Sequence, residues 1–430
     1  DMSQLKAKSD IPVLYKQNVA NDLFQLIYVF DMGNNHDKAL GTAFDYLEYL
    51  GTSDMTPEEL KSEFYRLACT FYVSPGNERT YVVLSGLNEN MPAAVQLFEK
   101  LLADAQVNKE AYTNMTSDIL KARSDAKLNQ GQNFSRLMSF AMYGPKSPAT
   151  NLLTEAELTN MNPQELVDRI HNQNSYKHRI LYYGPSSSKD LLATINQYHQ
   201  VPAALKDIPA GNEYSYLETP VTKVLVAPYD AKQIYMAQIS NLDKKYDPAI
   251  EPIRALYDEY FGGGMNSIVF QEMRETRGLA YSAWASIMPP SYLKYPYVLR
   301  TQIATQNDKM IDAVTTFNDI INNMPESEAA FKLAKDGLTN RLRTERIIKG
   351  DIIWSYINAQ DLGQNVDPRI KLYNDIQNMS LKDIVDFQKQ WVKGRTYVYC
   401  ILGDKKDLEL DKLKAVGPIE ELTQEQIFGY

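Results

Sequence analysis

An arginine and a tyrosine seven residues apart, Arg274 and Tyr281, are the pair in this sequence best suited to act together. They follow the run Gly262-Gly263-Gly264-Met265-Asn266-Ser267. Three glycines between helical runs permit φ > 0 and the close approach of another chain. The helix after them would carry Arg274 near its C-terminal end, Gly278 would stop it, and Tyr281 would open a strand. At such a corner a guanidinium and a phenol can converge on a carbonyl oxygen that is gaining negative charge. Taken singly, each part has a plainer reading. Three glycines make a helix–helix turn, an arginine is commonly a surface ion-pair residue, and a tyrosine fills a core. The segment 260–282 as a whole is far more specific than its parts.

Other chemistry is sparse. The four histidines are His36, His171, His178 and His199, and none has a Glu-His partner at helical spacing. His36 lies in the turn Gly33-Asn34-Asn35-His36-Asp37, where a solvated imidazole is expected. His171 and His178 could share a helix face, but 175–177 reads as the start of a strand. No Gly-x-Ser-x-Gly elbow and no phosphate loop occurs. Cys69 and Cys400 each sit among apolar residues, as expected of two buried free thiols rather than a disulfide or a metal cluster.

The elements that must hold Arg274 and Tyr281 occur twice. Leu47-Glu48-Tyr49-Leu50-Gly51 is echoed by Asp258-Glu259-Tyr260-Phe261-Gly262, Asn88-Glu89-Asn90-Met91 by Asn307-Asp308-Lys309-Met310, and Leu181-Tyr182-Tyr183-Gly184 by Cys400-Ile401-Leu402-Gly403. The echoes are collinear, and they divide the chain into domains 1–215 and 216–430, with the Pro-containing stretch 202–219 as linker. Each half reads as two strands (13–15 and 23–30; 221–227 and 233–240), then two helices (37–50 and 57–68; 247–261 and 265–275). Another strand pair follows (70–73 and 81–85; 280–287 and 298–303), then a long helical stretch (90–143; 307–362). A helix and a strand close each half. That order predicts an α+β fold of two homologous domains, each a mixed, mostly antiparallel sheet with helices packed on one face.

The 430 residues include 44% hydrophobic and 23% charged, ordinary for a globular chain with two cores. A net charge of −9 argues against a nucleic-acid partner, which requires a basic face, and against an anionic membrane surface. No apolar run is long enough for a transmembrane helix, so no membrane insertion is expected. The chain opens at Asp1 on polar residues with no targeting segment, so a mature product or an excised piece of a longer chain is expected.

The run Gly-Gly-Gly-Met-x-Ser through Phe-x-Glu-x-Arg-x-x-Arg-Gly-Leu-Ala-Tyr-Ser resembles the second-domain signature of the pitrilysin/insulinase family of zinc metallopeptidases. The duplicated domains and the ending Ile427-Phe428-Gly429-Tyr430 after Gly417-Pro418 are similar to that family too. The resemblance implies a clamshell of two homologous halves. One half carries zinc on a His-x-x-Glu-His helix and a later glutamate; the other supplies an arginine and a tyrosine seven apart. It makes Arg274 and Tyr281 the catalytic pair that steadies the oxyanion, with Gly262, Gly263, Gly264 and Met265 along the substrate.

The zinc helix departs from the family pattern. It reads Ala43-Phe44-Asp45-Tyr46-Leu47-Glu48-Tyr49-Leu50-Gly51-Thr52, so Glu48 falls on the general base while Asp45 and Tyr49 replace the histidines. Aligning on Gly51-Thr52 instead puts Thr42 and Tyr46 there. A catalytic zinc needs three protein ligands and a water, and a phenol of pKa about 10 is a poor one. No metal site or cofactor is therefore expected in this chain, zinc is expected in the partner half, and the chain alone is predicted inactive. The expected partners are a homologous zinc-bearing half, in the same polypeptide or a separate subunit, and a peptide substrate. Three readings stay open: the non-zinc half of an active peptidase, a catalytically silent structural or processing partner, and an unrelated peptide-binding module. A cell-envelope or periplasmic location follows only from resemblance to two-halved bacterial members.

Overall fold

The computed structural model describes residues 2–348 and 350–430. Asp1, on which the expectation of an excised piece rests, lies outside them. The described residues form two compact units. One comprises the described residues up to Ser124, Asn151–Glu213 and those of Ile348–Trp354; the other comprises Asp125–Thr150, Tyr214–Ile347 and Ser355–Tyr430.

The first unit is built on a six-stranded mixed sheet. Its strands are β1 (Ser3–Lys6), β2 (Pro12–Gln17), β3 (Leu23–Phe30), β4 (Cys69–Pro75), β5 (Thr80–Leu87) and β6 (Arg179–Gly184), in the order β1-β2-β6-β3-β5-β4. Only β2 and β6 run parallel. The second sheet has β7 (Lys223–Pro228), β8 (Gln233–Lys245), β9 (Ser282–Met288), β10 (Pro296–Gln306), β11 (Val398–Gly403) and β12 (Ile419–Glu421), in the order β12-β7-β11-β8-β10-β9. There β7 is parallel to both β11 and β12. Five strands correspond one to one, so the expected repetition of an α+β unit with a mixed sheet is what the chain forms.

Burial explains the strand sequences. β3 is apolar over Leu26–Phe30 except for its Tyr28 hydroxyl, and all five residues are buried, as befits a central strand covered on both faces. β10 alternates: Leu299 and Ile303 enter the core under the helices, while Val298 points to the opposite face. That opposite face of the second sheet is itself covered by the helices Gln130–Tyr143 and Gln424–Phe428 through Phe134, Leu137, Ile427 and Phe428.

Several expected boundaries move. The stretch 90–143 is three helices, Met91–Asp104, Lys109–Lys127 and Gln130–Tyr143, and 307–362 is also three, Met310–Asn322, Glu328–Thr344 and Asp351–Asp361. Asn129 caps the third helix of the first set with its side chain, and Ser327 caps the second helix of the other. Residues 175–177 do not begin a strand; a 3₁₀ turn spans Gln173–Ser175 and β6 starts at Arg179. The strand expected at 221 starts at Lys223, beyond Pro220, and the helix expected at 247 starts at Glu251. The sixth strand of each sheet, β1 and β12, is short and half-exposed or exposed, so it lacks the alternation that would have betrayed it. Cys69 and Cys400 are buried free thiols, as expected.

Candidate functional site

The helix Glu251–Phe261 ends at Gly262, whose glycine character has a steric cause. A Cβ there would lie 2.2 Å from the Ala285 carbonyl oxygen and 2.5 Å from its nitrogen, so the turn is pressed onto β9. Gly263, Gly264, Met265 and Asn266 then run exposed, with Met265 73% accessible. Ser267 turns the chain back into a helix, capping Phe270 N–H with its hydroxyl while Ser267 N–H donates to Gly264 O. The expected helix 265–275 is shorter and partly different in kind: Ile268–Phe270 is α-helical and Gln271–Thr276 widens into a π-helix. Insertions of that type are frequent at functional positions.

Val269 and Met273 anchor the helix in the core and leave Arg274 facing out. Gly278, at φ 57°, ends it in the left-handed region. Tyr281 donates its N–H to Ala304 O, and β9 begins at the next residue. The guanidinium of Arg274 lies 5.2 Å from the Tyr281 ring centre and 5.0 Å from that of Phe270. Tyr281 is 73% exposed. The two residues therefore form one surface cluster, with a cation stacked between two aromatic rings and a phenol open to solvent.

In the first unit, the helix Leu40–Leu47 carries the remnant of the metal motif. Ala43, Phe44, Tyr46 and Leu47 face the core, and the Tyr46 hydroxyl donates to Asn108 O at 2.5 Å. Tyr46 thus cannot serve as a ligand in the alternative register. Asp45, Glu48 and Tyr49 share the exposed side. The helix ends at Leu47, so Glu48 and Tyr49 lie in a tightened turn in which Tyr49 N–H reaches Tyr46 O. Shelter by neighbouring groups, and then the charge of Glu48, push the Asp45 carboxyl above the usual range. The two acids crowd each other, and among the described residues no imidazole joins them. Among the described residues no group of three or more His, Cys, Asp or Glu could hold a metal ion. Next to Glu48 runs an apolar groove of about 660 Å³ lined by Phe44, Leu47, Phe64, Tyr65 and Tyr72.

The histidines hold one pairing that the sequence did not show. His36 is half-buried in its turn, where Nδ1 accepts from Gly33 N–H at 3.1 Å. His171 and His178 are not paired; His171 contacts Ala105 O. His178 instead meets His199, Nε2 to Nε2 at 2.8 Å, and His199 Nδ1 meets Glu99 Oε1 at 2.7 Å. Asn174 Nδ2 and the Gln200 N–H donate to the second Glu99 oxygen. This buried relay was not legible, because its members are 21 and 100 residues apart.

A polar knot in the second unit joins neighbours on one helix to a distant strand. Arg254 reaches Asp258 at 2.7 Å and Glu251 at 2.9 Å, while Asp258 accepts from Ser286 Oγ and Ile287 N–H. Burial pushes the Asp258 carboxyl up to about 6 against the pull of Arg254.

Comparison with known proteins agrees with this geometry. Residues 180–338 match the family model of the peptidase M16 inactive domain. The non-peptidase homolog YmxG of Helicobacter pylori is 23% identical over 422 residues, spanning 93% of each chain. Among solved structures, a peptidase M16 inactive domain from Pseudomonas fluorescens superposes with a TM-score of 0.72 at 15% identity, over 94% of this chain and 98% of that one. The periplasmic protease PqqL of Escherichia coli gives 0.74 at 14% identity over 94% of this chain, which spans only 46% of PqqL. At such identities the two structures speak for the fold. The match over residues 180–338 is to the peptidase M16 (pitrilysin) family, inactive-domain type, and the chain as a whole is similar to proteins of that kind.

Proposed function

We propose that this chain is a non-peptidase companion that presents a peptide-facing surface to a homologous, zinc-bearing half and does not itself hydrolyse peptides. The observation that carries this reading is the exposed side of the helix Leu40–Leu47 and its following turn. It offers Asp45, Glu48 and Tyr49, two mutually repelling carboxylates and a weakly acidic phenol, where three good ligands are required. Similarity to a protein named as a non-peptidase homolog supports it. The test is metal analysis of the purified chain with a peptide-cleavage assay, run alone and with the zinc-bearing half. Stoichiometric zinc together with cleavage by the lone chain would sink the proposal.

A second reading is favoured by the Arg274–Tyr281 cluster. An exposed guanidinium and phenol next to the open turn Gly263–Met265 suit a polarised peptide carbonyl. On this reading the companion contributes catalytic donors to the assembled enzyme, and Gly262, Gly263, Gly264 and Met265 border the peptide. Without such a contribution, the chain is a structural or processing partner and Arg274 and Tyr281 are packing residues.

A further inference from the structure

Among the described residues, Arg300 is a cation without a counter-charge. It lies in the middle of β10, paired with Ser286 of β9 on one side and Ile239 of β8 on the other. Leu299 and Ile303 turn into the core, so Arg300 and Gln302 point to the other face of the sheet. Toward β7 and β11 that face is packed under the helix Gln130–Tyr143. Toward β9 it is only half-buried at Trp284, Arg300 and Gln302, and it is open at Ser282 and Met288.

The guanidinium carbon sits 5.1 Å from the centre of a Trp284 ring, and Nη2 donates to Gln302 Oε1 at 2.9 Å. Nε is buried and has no acceptor. Among the described residues no carboxylate pairs with Arg300. The titratable group that influences it is Cys400, two strands away on the same face, whose thiol is pushed up to about 12 by burial and so carries no negative charge at neutral pH. Burial pulls the Arg300 pKa down, but a guanidinium stays protonated. Half-buried charges in proteins are ordinarily matched by a carboxylate. Here the described residues supply the aromatic wall and the orienting amide but not the anion.

We propose that Arg300, backed by Trp284 and oriented by Gln302, is a carboxylate-binding site on the open end of the second sheet. A planar, singly charged carboxylate matches one guanidinium fork. The carboxylate can come from the C-terminus of a peptide or from an aspartate or glutamate side chain. The inference does not rest on the companion reading, because binding is measured on this chain alone.

The experiment is an NMR titration of the full chain, following the Trp284 indole N–H, assigned with Trp284→Phe. The probes are acetate, acetamide, and three forms of a short alanine peptide: free acid, amidated, and amidated with one internal glutamate. Acetate and at least one carboxylate-bearing peptide are expected to shift the indole signal, with acetamide and the plain amidated peptide at least tenfold weaker. A response to the free acid alone assigns the site to C-termini, and a response to the glutamate peptide assigns it to acidic side chains. Arg300→Gln is expected to abolish the response and Arg300→Lys to weaken it. Equal responses to acetate and acetamide, or no response to either, overturn the site and need no variant; so does a folded Arg300→Gln chain that titrates like the parent.

Discussion

His178 and His199 face each other edge-on inside the first unit, with their Nε2 atoms 2.8 Å apart and their ring planes at 90°. His178 Nδ1 must hold a proton to bond the Tyr176 carbonyl at 2.7 Å, so its Nε2 accepts from His199. Glu99 from the helix Met91–Asp104, Tyr28 from β3 and the Phe30 ring close the pocket around them. A second proton on His178 would set two donors against each other.

That geometry predicts acid sensitivity. Burial first, and then the charge of His199, pull His178 down to about 3. The unfolded chain takes up this proton near 6.5 while the folded chain refuses it, so stability is present above 6.5 and declines as pH falls toward 3. Between pH 7.5 and 5 the cost is about 2 kcal/mol for this one group. Urea unfolding at the two pH values should show His178→Gln losing less than the parent by about that margin; equal losses would refute the assignment.

The second unit should respond with the opposite sign. Asp258 is raised to about 6, and burial is its largest cause. Arg254, its partner, is raised as well, since the acids Asp258 and Glu251 together outweigh its own burial. Asp258 shares that single cation with Glu251, so burial prevails at the carboxyl. The folded unit therefore keeps a proton that the unfolded chain releases near 4. The stability this confers is full below 4 and is lost as pH rises through 6, by roughly 2–3 kcal/mol. Asp258→Asn should flatten that slope in urea titrations between pH 4 and 7.

The glycines of the 262–265 turn separate by substitution. Gly262→Ala drives a methyl into the Ala285 backbone and should cost about 1–3 kcal/mol in thermal or urea unfolding. Gly264→Ala meets nothing nearer than Glu259 Oε1 at 3.9 Å and should stay within about 0.5 kcal/mol. If the open turn borders a peptide, Gly264→Ala lowers cleavage by the assembled enzyme without changing the unfolding midpoint.

Arg274→Ala and Tyr281→Phe test the cluster directly. If these groups steady an oxyanion in the assembled enzyme, each loss costs about 2.7–4 kcal/mol in the barrier, or 10²–10³ in kcat. Zinc content and the unfolding midpoint should hold. Unchanged turnover in both variants leaves the companion with a structural role only.

The sequence carried the repeat, the strand pairs and the Arg274–Tyr281 corner because each depends on neighbours close in the chain. Apolar alternation marks β10, and Gly278 marks the end of a helix. What it hid depends on distance or on weak local signals. His199 meets Glu99 across 100 residues, and neither flank announces the other. The widened turns at Gln271–Thr276 look like any helix, since Val269 and Met273 keep ordinary spacing. Arg300 sits in a strand whose pattern predicts its face but not the missing counter-ion.

The helix Gln130–Tyr143 also decides how this polypeptide can be dissected. Phe134, Leu137 and Met138 cover Leu225, Ala237 and Cys400, although they precede them by about ninety residues or more. A clone starting at 216 would leave that greasy wall bare and should go to inclusion bodies, whereas one with 125–150 joined directly ahead of 214 should remain in solution.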